Sequence, residues 1–228
     1  TLFEREDKPD TPDLEEAKEA IIEKFGEALG EPEDLAEAQQ ELAEAAENVM
    51  RTMEDSQGVT SVDLRDMRLL RQQIALGTRM AKDEHYAIPV LVGDELTNVQ
   101  LKIVRGKEER GRVDVLFETP KLGKVAARFQ VQEDSVKGYV VSDSNRTIDE
   151  LKNQQDSLAE QFGLQEGKSP TLDFAYSEEL DLNRFAGGKT GNTANLDTES
   201  QSYRVQTQTL YGLAKGFLEG MKQMGQSI

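Results

Sequence analysis

Cysteine does not occur in these 228 residues, and histidine occurs once. The first absence removes disulfides, thiolate metal sites and a cysteine nucleophile together, and it suits a reducing compartment. The second leaves any histidine-based general base or metal site dependent on His85 with carboxylates alone. No apolar run approaches the roughly 18–20 residues of a membrane span, and no charged-then-apolar start resembles a signal peptide. The chain opens at Thr1 and not at methionine, which leaves room for an upstream tag, leader or segment. Basic charge is scarce: 27 Lys and Arg stand against 44 Asp and Glu, for a net charge of −17. Such a chain repels phosphate backbones, and no basic stripe with interleaved aromatics is present, so nucleic acid is excluded as a direct ligand.

What is present is unevenly distributed. Residues 1–60 hold 19 acidic and 5 basic side chains, a net −14, so only −3 belongs to the rest of the chain. Hydrophobic residues make up 36% and charged residues 31%, which allows a core that does not extend along the whole length. Residues 1–12, polar and carrying Pro9 and Pro12, read as a disordered lead-in. Residues 13–85 read as an acidic helical region of two or three helices. Leu14, Ala17, Ile21, Phe25 and Ala28 form the first stripe. Leu35, Ala38, Leu42, Ala45, Val49 and Met53 form the second, and Leu64, Met67, Leu70, Ile74, Thr78 and Ala81 the third.

The period changes from helical to two at Ile88. Val99, Leu101 and Ile103 alternate with polar residues, as do Val113, Val115 and Phe117, then Val125, Ala127, Phe129 and Val131. These are half-buried strands, with a further one at Val136–Val141 and a short leading one at Ile88–Val92. The connections around Thr119–Gly123 and Gln132–Ser135 are a few residues long, which forces antiparallel neighbours. Thr147 and Glu150 match a capping box, and Ile148, Leu151, Gln155, Leu158 and Phe162 follow a helical stripe ended by Gly163. A last strand falls at Leu172–Tyr176.

The predicted fold class is therefore α+β. An antiparallel β-meander with one helix packed across it occupies residues 86–182, an independently folding unit. An acidic α-helical segment precedes it. Residues 183–204 read as a flexible linker, and residues 205–228 as a C-terminal amphipathic helix with its stripe at Leu210, Leu213, Phe217, Met221 and Met224. Gly212, Gly216 and Gly220 share one face of that helix, each costing about 1 kcal/mol of propensity against alanine. A closely approaching backbone would explain them. The helix either folds back, partly frayed, on the N-terminal helical hairpin of its own chain or docks on another protein.

Candidate chemistry is thin. Gly187-Gly188-Lys189-Thr190 resembles the end of a phosphate loop, but Asn183 stands where its first glycine belongs and Gly191 follows where a helix should start. His85, at a helix end beside Asp83 and Glu84, reads as a residue favoured by the helix dipole. The carboxylates of residues 1–60 lie on exposed polar helices, without the distinct environments that separate an acid from a base. Asn145-Arg146-Thr147 matches a glycosylation acceptor without a secretory signal, and capping accounts better for Thr147. No cofactor, no metal and no enzymatic activity are expected.

The stretch Leu116–Gly163, extended by the strand from Val99 and the Leu172–Tyr176 strand to about residues 99–182, resembles the C-terminal domain of flagellar hook-length control proteins. A strand, a proline, a Leu-Gly-Val-like step, a hairpin and a leucine-spaced helix ending at glycine follow one another in that order. The matching positions are Pro120, Leu122, Gly123 and Val125, then Val136 to Val141, then Leu151, Leu158 and Gly163. One residue, Lys121, separates Pro120 from Leu122 where that family usually has two. An acidic helical segment replaces its long Pro, Gln and Ser rich region. The resemblance implies a bacterial protein–protein interaction module that touches the export gate of a type III secretion apparatus and switches its substrate class. Pro120, Leu122, Gly123 and Val125, with Leu213, Phe217 and Met221, are the expected partner-binding residues. A cytoplasmic location is expected, with the type III apparatus as a route of export. The alternative is a cytoplasmic helical scaffold or adaptor that uses the acidic helices against a basic partner and has no flagellar role.

Overall fold

The computed structural model describes residues 23, 24, 27, 32–55, 72, 75–77, 79–80, 83–92, 95–106, 110–133, 135–162, 170–186 and 201–227. Six strands form one sheet in chain order: β1 (His85–Val92), β2 (Glu95–Arg105), β3 (Gly111–Thr119), β4 (Gly123–Gln132), β5 (Ser135–Ser142) and β6 (Thr171–Tyr176). The first five pair antiparallel through short connections, as the sequence pattern predicts, while β6 runs parallel to β5. That last pairing requires a crossover, since a parallel neighbour must be entered from the same end. α2 (Asn145–Asn153) and α3 (Gln155–Gln161) supply it.

Alternation sorts the sheet into two faces. Val99, Leu101, Ile103, Val113, Val115, Phe117, Val125, Ala127 and Phe129 point to the inner face and are buried there. Ile148, Leu151, Leu158 and Phe162 from the crossover cover one part of it. The helix predicted as one continuous stripe is broken at Gln154, whose φ of −102° and ψ of 14° leave the helical region. Its N-cap is Ser144, whose hydroxyl accepts from the Thr147 backbone N–H. Thr147 is thus not the cap. Its own hydroxyl is taken by the Leu122 carbonyl.

The other part of the inner face is covered by α5 (Gln201–Ser227). The separation of residues 86–182 from an appended helix does not survive in the packing. Leu210, Tyr211, Leu213, Phe217 and Met221 are fully buried in the same hydrophobic cluster as the strands, and Leu35 and Ala38 of α1 (Pro32–Asp55) join it. Phe129 sits at the junction, with its ring centroid 5.1 Å from Phe162 and 5.4 Å from Phe217, both edge to face. The sheet alone would expose this surface, so the folding unit includes the C-terminal helix.

On the outer face a smaller cluster of Leu116, Ala126, Val141 and Leu180 is covered by Leu182 and Phe185 of α4 (Leu182–Ala186). Residues 183–204 are therefore not linker throughout: α4 begins before them, capped by Asp181 Oδ1, and α5 starts at Gln201. The intervening stretch, with Gly187-Gly188-Lys189-Thr190, lies outside the described residues. So do the lead-in 1–12 and most of the first and third predicted helices. Among the described residues no helix is long and apolar enough to cross a membrane.

Candidate functional sites

The turn between β3 and β4 carries the resemblance and is built as a rigid corner. Thr119 Oγ1 accepts from the Leu122 N–H at 3.0 Å, and Thr147 Oγ1 donates to the Leu122 carbonyl at 2.8 Å. Asp143 Oδ1 accepts from the Lys124 N–H at 2.8 Å. Gly123 adopts φ 71°, and a Cβ there would run into Asp143 Oδ1, so both the backbone conformation and the space require glycine. Pro120 and Lys121 stand exposed at the tip, while Leu122 and Val125 are fully buried.

Of the expected partner-binding residues, then, Pro120 lies at the surface and Gly123 is half-buried. Leu122, Val125, Leu213, Phe217 and Met221 have no exposed surface to offer. Their side chains are used in the chain's own core. The glycine face of α5 has a similar answer. A Cβ on Gly216 would collide with the Gln161 carbonyl, and one on Gly220 would meet Leu158, so this face is where α5 lies against α3. A Cβ on Gly212 would have no neighbour within 4 Å.

A polar row crosses the outer face. Backbone register places His85, Lys102, Asp114, Arg128, Tyr139 and Asp173 side by side on successive strands. Asp114 is fully buried at its centre. Arg128 meets it through Nε at 2.7 Å and Nη2 at 3.2 Å, and Arg112 Nε approaches at 3.3 Å. Arg128 also donates from Nη2 to the Phe185 carbonyl at 2.8 Å, with the Phe185 ring 4.6 Å from its guanidinium carbon. A charge withdrawn from water is tolerated only when paired and hydrogen-bonded, and here α4 completes that pairing. Arg112 is less well served: burial pulls its pKa down, Asp114 opposes that, and Arg128 adds to it.

His85 opens β1 and does not end a helix, so the dipole reading fails. Burial lowers its pKa, Lys102 lowers it further and Asp114 works in the opposite direction. The surroundings thus disfavour the imidazolium form.

A second polar cluster closes the end of the sheet. Glu84, with φ 52°, takes Arg105 Nε at 2.7 Å and Nη2 at 2.6 Å. Tyr211 of α5 donates to Glu84 Oε1 at 3.0 Å, and the Tyr86 hydroxyl lies 3.0 Å from that of Tyr211. Because the Tyr211 proton goes to Glu84, Tyr86 donates to Tyr211. Burial, then Tyr86 and Glu84, push the Tyr211 phenol far above its ordinary range, so it remains a donor. Both carboxylate oxygens of Glu84 are committed, and the cluster ties α5 to the beginning of β1.

Neither cluster is among the sites expected from the sequence. Asp114 opposite Arg128 had a signal: the short turn that pairs Thr119 with Gly123 carries its register down the hairpin to this pair. Glu84 and Tyr211 are 127 residues apart and had none. Among the described residues no group of three or more His, Cys, Asp or Glu could hold a metal ion. A shallow groove between the crossover and α5 is lined by Leu151, Gln154, Leu158, Gln161, Gly220 and Met224. No family model matches the chain, and neither a curated protein nor a solved structure matches it.

Proposed function

We propose that the chain is a non-enzymatic protein–protein interaction module, resembling the substrate-specificity-switch domain of flagellar hook-length control proteins in type III export. The observation that carries this reading is the β3–β4 turn. Its tip exposes Pro120 and Lys121 while the bonds from Thr119, Thr147 and Asp143 hold it from beneath. A preorganised protrusion loses little conformational freedom when it docks. The contact is thereby assigned to the tip, and Leu122, Gly123 and Val125 act by shaping it.

The experiment is a pull-down of purified export-gate components by the full chain, with Pro120→Asp and Lys121→Glu variants whose fold is checked by circular dichroism. Binding by the full chain and about a tenfold loss in the tip variants are expected, the size of one disrupted anchor in a small interface. A folded full chain that captures none of the export-gate components defeats the reading.

A second reading has its own observation. Asp34, Glu37, Glu41, Glu44 and Glu47 are exposed along α1, a carboxylate-rich face suited to a basic partner of a scaffold or adaptor. A salt titration separates the two. A complex made by these carboxylates weakens steeply with ionic strength, whereas one made by the proline tip changes little.

A further inference from the structure

The two edges of the sheet are built differently. Along β1 the Glu84 carbonyl accepts from Ile103 N–H at 2.9 Å, which turns the even-numbered residues toward β2 and the odd-numbered ones outward. Pro89 is one of the outward residues. It has no N–H to offer, and it interrupts this edge in its middle. Along β6 the Ser177 N–H donates to the Ser142 carbonyl at 2.9 Å, so the odd-numbered residues face β5. The N–H and C=O groups of Leu172, Phe174 and Tyr176 therefore point away from the sheet, and among the described residues nothing pairs with them. This edge has no proline and no lysine.

We propose that β6 is a docking edge that accepts an extended, basic segment of another protein as a seventh strand. Strand addition takes its affinity from main-chain hydrogen bonds and its selectivity from side chains flanking the new strand. Here the flanks are acidic and aromatic. Asp173, Glu178 and Glu179 are exposed, and so are Tyr139 beside Asp173 and Tyr176 at the end of the strand. Lysine or arginine at the alternate positions of the incoming strand that face outward meets Asp173 with its stem toward the Tyr139 ring, while Tyr176 flanks the new strand on the inner side. A second copy of this chain is a poor occupant. Pairing β6 with β6 brings two sets of Asp173, Glu178 and Glu179 onto one seam, between chains that each carry −17. Strand addition at β6 involves neither the β3–β4 turn nor the features of the family resemblance, so failure of one proposal leaves the other standing.

The test uses the full chain and a short fluorescent peptide alternating lysine with valine. Its controls are the same peptide N-methylated on alternate backbone nitrogens and a glutamate–valine counterpart. Saturable binding of the lysine peptide is expected, with new hydrogen-exchange protection at Leu172, Phe174 and Tyr176. The N-methylated peptide should bind about tenfold more weakly, the worth of roughly one net backbone hydrogen bond. Asp173→Lys, which leaves the core untouched, should weaken the lysine peptide and favour the glutamate one. Tyr176→Pro, which removes an outward N–H, should weaken both. Equal binding of the methylated peptide, or protection elsewhere on the molecule, overturns the proposal in favour of general charge attraction. No binding of the lysine peptide overturns it, and so does a self-associated dimer that Tyr176→Pro dissolves.

Discussion

The inner and outer faces of the sheet come from the same alternating strands, yet they are completed by different means. The inner face is closed by three separate helical segments and buries large apolar side chains without interruption, from Ile88 on β1 to Leu172 on β6. The outer face has a small apolar cluster under the short helix α4, and beside it a carboxylate buried among cations. Burial on the first face is non-directional and roughly proportional to area. On the second it depends on particular partners, because a charge without them is costly in a dry setting. Loss of one partner should therefore hurt the outer face disproportionately to its size.

The largest expected effect tests that asymmetry. Asp114→Asn leaves Arg112 and Arg128 facing each other without the carboxylate between them. A loss of about 3 kcal/mol is expected in urea unfolding, in the range for breaking a buried ion pair. A loss below that of an ordinary surface substitution would place the face in solvent. Next comes the close approach on the inner side. Gly216→Ala should destabilise by about 1–3 kcal/mol through overpacking against the Gln161 carbonyl. Gly212→Ala should raise stability by up to about 1 kcal/mol, since it gains helix propensity and its Cβ meets nothing. Equal responses from the two glycines would mean that α5 does not lie against α3 as described.

The smallest effect is a pH dependence from the outer face. His85 has its folded pKa lowered by burial and Lys102, so between the ordinary value near 6.5 and the lowered one the unfolded chain binds more protons. The penalty is absent above about pH 6.5 and grows as pH falls through that window. His85→Gln should flatten this slope in pH-dependent unfolding. A slope unchanged by the substitution would assign the titration to another group.

Much of the inner face was legible in advance. Val99, Leu101 and Ile103, and the runs on β3 and β4, announce strands by strict alternation, and connections of a few residues allow only antiparallel pairing. The direction of β6 was less accessible, because a crossover sets it by where the chain re-enters the sheet. The N-cap is Ser144, three residues before the Thr147–Glu150 pair that matches a capping box locally, and only the bonds formed in the fold distinguish the two. Of the candidate site, Gly123 was legible as a turn glycine three residues after Pro120. Whether Leu122 and Val125 face a partner or the core was not, since an apolar side chain looks the same in either setting.

The sequence by itself determined the periods, the short turns and the concentration of negative charge in residues 1–60, because each follows from neighbours along the chain. It also determined that the C-terminal segment is an amphipathic helix with a glycine face. Only the tertiary structure decided what that helix packs on, which strand edge stays open and where Asp114 and Glu84 find their cations. The physical reason is common to all of these. Burial and pairing are satisfied by whichever complementary surface is brought close, and for Tyr211 and Glu84 that surface lies 127 residues away. Nothing local can register such a distance.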